Sequence, residues 1–126
     1  MIETVLGIVK EELESIGVPY EFMQWTSTVN GRYWVGDFAE APTDTEDGHK
    51  DITLMLTGTT QSNWASLMQD RAKIEDHFPT EDGFRKSTEK GAVVIFYANA
   101  LPVPTGEANL KRIQINLQIQ AWKGMK

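Results

Sequence analysis

The sequence holds no cysteine. That absence excludes disulfide scaffolds, thiol catalysis, cysteine-type zinc sites and iron–sulfur clusters. Histidine, the usual acid–base or metal-binding side chain, occurs only twice, at positions 49 and 77. No apolar run approaches the roughly 20 residues that cross a membrane as a helix. Glu3, Lys10, Glu11 and Glu12 interrupt the apolar positions at the N-terminus, so the expectation is that this segment is not a signal peptide. Positive charge is scarce: 12 Lys and Arg against 18 Asp and Glu leave −6. Such a balance argues against broad binding to a phosphate backbone. Walker A, GxGxxG, GxSxG and HExxH patterns are all missing, and Ser62 and Ser66 have no visible histidine partner. With no acid–base constellation, the expectation is a protein that is not an enzyme.

What is present suffices for a core. The chain has 126 residues, 40% of them apolar, with four Trp and five Phe, and a length of this order is that of one domain. The expectation is a single soluble, cytoplasmic domain over residues 1–126 that folds without a metal.

Residues Ile2, Val5, Leu6, Val9, Leu13 and Ile16 recur at three- and four-residue spacing and predict a helix. Gly17 stands where a left-handed C-terminal residue belongs, and Pro19 stops continuation. Gly7 lies inside the pattern at a cost of up to ~1 kcal/mol relative to Ala, for which close packing is one reason. Residues 20–28 and 32–40, both aromatic-rich, flank Asn30-Gly31 and read as a hairpin closed by a type I′ turn. Large residues fall on both faces of these strands, so a partner or a packed element should cover the second face.

Residues 39–50 read as an acidic loop, and 51–57 as a third strand with Ile52, Leu54 and Leu56 on one face. A second helix follows, capped by Ser62, with Trp64, Leu67, Arg71, Ile74 and Phe78 on one face, Met68 beside them, and Pro79 at its end. Residues 80–90 read as a polar connection, 91–98 as a buried strand and 100–109 as a loop. In 110–122, Ile113, Ile115, Leu117, Ile119 and Ala121 alternate with Gln114, Asn116, Gln118 and Gln120. The order α-β-β-β-α-β-β predicts an α+β fold: a mainly antiparallel sheet of about five strands with two helices packed on one face.

Two surfaces stand out. Asp44, Glu46, Asp47 and His49 crowd one loop, but a calcium-loop pattern started at Asp44 puts Gly48 at position 5, His49 at 6 and Met55 at 12, and so fails. A solvated acidic turn remains, or a weak cation site. The neutral amides Gln114, Asn116, Gln118 and Gln120 are unusual on a water-facing strand of an acidic protein. They fit either a solvated sheet face or a protein interface or ring wall, since amides hydrogen-bond to many partners. These eight residues are the candidate contact residues; no catalytic, cofactor-binding or metal-binding residue is assigned.

The segments Tyr33-Trp34-Val35-Gly36-Asp37, Thr45-Glu46-Asp47-Gly48 and Leu56-Thr57-Gly58-Thr59 before Trp64 resemble small prophage proteins encoded among tail genes. The order of elements is similar to the tail terminator proteins (tail-completion, tail-to-head joining) of long-tailed phages. The resemblance implies a ring, usually a hexamer, that caps the tail tube and docks to the head connector. It implies that the partners are other copies, the tail tube protein and head connector proteins, and that the place is the bacterial host cytoplasm during assembly and then the virion. No cofactor, specific nucleic-acid partner or membrane enters, although DNA passes through such a ring. Six copies would carry a charge of about −36, which lets DNA pass without sticking. Two alternatives stay open: another neck or head-completion protein, and a small-molecule-binding α+β domain with a pocket lined by Trp25, Trp34 and Trp64.

Overall fold

The computed structural model describes residues 2–22, 32–40, 49–61 and 63–123. Two helices, α1 (Ile2–Ser15) and α2 (Trp64–His77), accompany six strands: β1 (Tyr20–Phe22), β2 (Arg32–Glu40), β3 (His49–Thr60), β4 (Phe84–Thr88), β5 (Gly91–Pro102) and β6 (Lys111–Lys123). The strands form one mixed sheet in the order β1-β2-β3-β6-β5-β4. The α+β class, both helices and a mainly antiparallel sheet match the expectation, while the strands number six rather than about five and one pair, β1 with β2, is parallel.

Helix α1 ends as its sequence dictates. Gly17 takes φ 81°, the Val18 amide donates to the Leu13 carbonyl at 3.0 Å and the Gly17 amide to that of Glu14 at 3.1 Å. This is a Schellman closure, and the apolar pair Leu13 and Val18 is buried beneath it. Val5, Ile8, Val9 and Leu13 face the core. Gly7 is exposed, and a Cβ there would meet nothing within 4 Å, so close packing is not the reason for it.

Among the described residues, Tyr20–Phe22 do not pair with β2 as the expected antiparallel hairpin would. β1 runs parallel to β2, with Tyr20 opposite Trp34 and Phe22 opposite Gly36; Asn30-Gly31, Met23 and Trp25 lie outside the described residues. Two glycines let rings lie close across these strands. The Tyr20 ring covers Gly36, where a Cβ would stand 2.7 Å from Tyr20 Cε1, and the Trp34 indole covers Gly58 in the same way, at 2.7 Å from its Cε2. Phe22 stacks on Phe38 with ring centroids 5.9 Å apart.

The sixth strand is β4, in the segment read as a polar connection. It lies at the sheet edge and sends Arg85 and Ser87 to solvent, so little apolar periodicity marks it. β5 also runs four residues further than expected, into the segment read as a loop, because a bulge between Tyr97 and Asn99 inserts one residue. The bulge inverts the alternation: Ala100 packs toward the core and Leu101 is 44% exposed.

Helix α2 is capped by Asn63, whose Oδ1 accepts the Ala65 amide at 3.1 Å; Ser62 lies outside the described residues. Its buried face is Leu67, Asp70 and Ile74, continued by Phe78. Trp64 and Met68, expected on that face, are exposed at 39% and 37%. Asp70 takes a core position because cationic and indole donors meet it. Arg32 Nε donates to Asp70 Oδ2 at 2.5 Å, Arg32 Nη2 to Oδ1 at 3.2 Å and Trp34 Nε1 to Oδ2 at 2.8 Å. Both helices contribute to one buried cluster on one face of the sheet, with Ile52, Leu54, Leu56, Ile95, Ile115, Leu117 and Ile119 from its central strands. At the other end of α2, His77 Nε2 lies 2.7 Å from Glu12 Oε1 and the imidazole stacks on Phe84 at 5.1 Å, which joins α1, α2 and β4.

Candidate protein interface on the helix-free sheet face

With the helices on one face, the alternation of β3 and β6 decides what the other presents. Residues paired across these strands point the same way. Gln114, Asn116, Gln118 and Gln120 stand opposite Thr57, Met55, Thr53 and Asp51. On the far side of β6, Val94 and Phe96 stand opposite Gln120 and Gln118, and Asn99 opposite Asn116. All four amides of β6 are half-buried.

These amides are ordered by one another. Gln114 Nε2 donates to Asn116 Oδ1 at 3.0 Å, and Asn116 Nδ2 donates to Asn99 Oδ1 at 2.8 Å. Thr53 Oγ1 donates to Gln118 Oε1 at 3.3 Å. The bulge in β5 makes the Asn99 contact possible, since without the extra residue the outward position opposite Asn116 would fall to Ala98. At one end of the face Arg112 Nε donates to Thr59 Oγ1 at 3.2 Å; at the other, His49 Nε2 lies 3.1 Å from Asp51 Oδ1, with its ring 5.1 Å from Trp122. The middle of the face, over β3 and β6, is therefore uncharged, with charge confined to its ends.

The structure places His49 on this face with the β6 amides, rather than in a loop. Asp44, Glu46 and Asp47 lie outside the described residues. Sequence reasoning missed Thr53, Met55, Phe96, Asn99 and Trp122. The alternation of β3 and β6 could have found Thr53, Met55 and Trp122, whereas Asn99 needed the bulge.

Of the expected Trp25, Trp34 and Trp64 pocket, Trp25 lies outside the described residues, and Trp34 and Trp64 do not line one pocket together. Trp34 is fully buried, while Trp64 borders an open cleft of about 590 Å³ with the 102–112 segment. Among the described residues, no three His, Asp or Glu side chains gather as metal ligands. Among the described residues, no helix is long and apolar enough to cross a membrane.

No protein-family profile matches the sequence, and no curated protein matches it. Solved structures do. One is a chain from "Virion of native gene transfer agent (GTA) particle", with TM-score 0.58 and 15% identity over 89% of this chain and 84% of that one. A second, whose description states no activity, has TM-score 0.62 and 14% identity over 92% of this chain and 89% of its own. At these identities the likeness establishes a shared fold across nearly the whole chain.

Proposed function

We propose that the protein is a structural subunit of a phage-like virion, a tail terminator-like ring component that caps the tail tube and docks to the head connector without catalysis. The observation that carries this reading is the fold shared with a chain of a gene transfer agent particle over most of both chains. The motifs that resemble prophage tail proteins support it, because Trp34, Gly36 and Gly58 prove to be interlocking parts of the fold.

In a ring, the helix-free face is the wall of the channel. Its central amides offer hydrogen bonds without net charge, and a net charge of −6 disfavours tight holding of DNA. The ring forms in the host cytoplasm and remains in the virion, with tail tube and head connector proteins as partners. The test is binding of the purified chain to tail tubes, followed by electron microscopy. A ring at one end of each tube supports the reading, and a chain that never binds tubes refutes it. Binding to the portal assembly but not to tubes would assign the chain to head completion instead.

A further inference from the structure

Helix α2 carries surfaces of opposite charge at its two ends, about 21 Å apart for its 14 residues. At the N-terminal end lies the open cleft lined by Trp64, Pro102, Pro104, Lys111 and Arg112, with Glu107 as its single acid. Trp64 is 39% exposed, and an indole beside cations is the composition of an interface centre rather than of ordinary surface. The cleft wall is ordered from within: the Val103 amide donates to the Arg112 carbonyl at 3.0 Å, and Thr105 Oγ1 to the Leu110 carbonyl at 2.8 Å. At the C-terminal end, Glu75, Asp76, Glu81 and Asp82 form an acidic surface with Pro79 and Thr80. Glu75 pairs with Arg71 at 2.8 Å, while Asp76, Glu81 and Asp82 are exposed. This turn is fixed as well. The Gly83 amide donates to the Pro79 carbonyl at 2.9 Å, and Thr80 Oγ1 to the Tyr97 carbonyl at 2.9 Å.

The two surfaces complement each other in charge and in their apolar centres, an indole on one and a half-buried proline on the other. We infer that the 79–82 turn of one copy docks in the Trp64 cleft of a second copy, with Glu81 and Asp82 meeting Lys111 and Arg112 and Pro79 meeting the Trp64 indole. Both parts are ordered beforehand, so little conformational freedom is lost on contact, and opposite charge sets the orientation. The junction joins two different surfaces, so it is heterologous, and heterologous contacts close into rings when the rotation permits. None of the β6 amides lines either surface, so the contact leaves the middle of the helix-free face uncovered. The inference rests on the ring reading above and names its subunit contact.

Charge reversal tests it. Lys111→Glu and Glu81→Lys each place like charges across the junction, and each should raise the concentration for half-assembly at least tenfold. Trp64→Ala, which removes an exposed ring, should do the same. Arg112 is left in place because it donates to Thr59 Oγ1. Thermal melting of each monomer checks that the fold is intact. The double variant K111E/E81K should regain assembly, because it restores opposite charges across every junction. Wild-type rings together with unimpaired single variants, or a double variant that fails to recover, would overturn this contact and leave the ring reading standing. Single variants that form rings normally but no longer bind tail tubes would also overturn it, and would give the cleft to the tube protein. A wild-type chain that neither self-associates nor assembles on tail tubes would overturn both.

Discussion

The indole nitrogen of Trp34 donates to Asp70 Oδ2 at 2.8 Å while its ring lies flat over Gly58, so one side chain on β2 joins α2 to β3. Asp70 is 1% exposed and Arg32 completes its hydrogen bonds. Removing one partner of a buried, hydrogen-bonded charge leaves the others unmatched. Asp70→Ala should therefore lower unfolding free energy by on the order of 3 kcal/mol, measured by urea denaturation. A loss below about 1 kcal/mol would show that the network contributes little to the fold.

Gly36 and Gly58 are sites of close approach. A methyl group at either would press on the Tyr20 or Trp34 ring. Gly36→Ala and Gly58→Ala should each cost about 2 kcal/mol or more, since both rings are buried and neither is the free end of a flexible chain. Gly7 predicts the opposite sign. Its Cβ position is open and helical, so Gly7→Ala should raise stability by up to about 1 kcal/mol.

Much of this was legible in the sequence and some was not, for identifiable reasons. The α1 stripe, its Gly17 end and the alternation of β6 depend on local periodicity and proved correct. β1 was assigned to a hairpin because Asn30-Gly31 is a strong turn signal, yet parallel pairing with Tyr20 seated on Gly36 is a tertiary fit that no local pattern encodes. β4 was missed because a short edge strand needs few apolar residues, and the end of β5 because a bulge breaks the alternation. Asp70 carries no local signal that would single it out; its burial depends on Arg32 and Trp34, 38 and 36 positions away. Of the candidate contact residues, the β6 amides and His49 share one face.

The Tyr20 phenol is buried, has no hydrogen-bond partner among the described residues, and is pushed up to about 12 by that burial. A raised acid binds its proton more tightly in the folded state, so its contribution is intact below the unfolded value of about 10. That contribution is lost as pH climbs from there toward about 12. Wild-type stability should fall more steeply than that of Tyr20→Phe over this window, by at most about 1.4 kcal/mol per pH unit. At pH 7 the Phe variant should be at least as stable, because it removes an unsatisfied hydroxyl. Parallel pH profiles for the two proteins would contradict the assignment.

If the helix-free face lines a channel, as proposed, replacing its amides with cations should change how the assembly meets DNA without changing the fold. Gln118→Lys with Gln120→Lys should still assemble, melt within about 1 kcal/mol of wild type, and gain duplex-DNA binding that rising salt abolishes. Filter binding at two salt concentrations reads this. Loss of assembly instead would make the amide face a contact between copies rather than a channel wall.

The most direct measurement is light scattering coupled to size-exclusion chromatography, from dilute to near-millimolar protein, with and without tail tubes. The account predicts a closed species of about 85 kDa for six chains of 14.2 kDa, in free solution or on the tube end. A 14.2 kDa monomer at every concentration, with no mass added to the tubes, would contradict it.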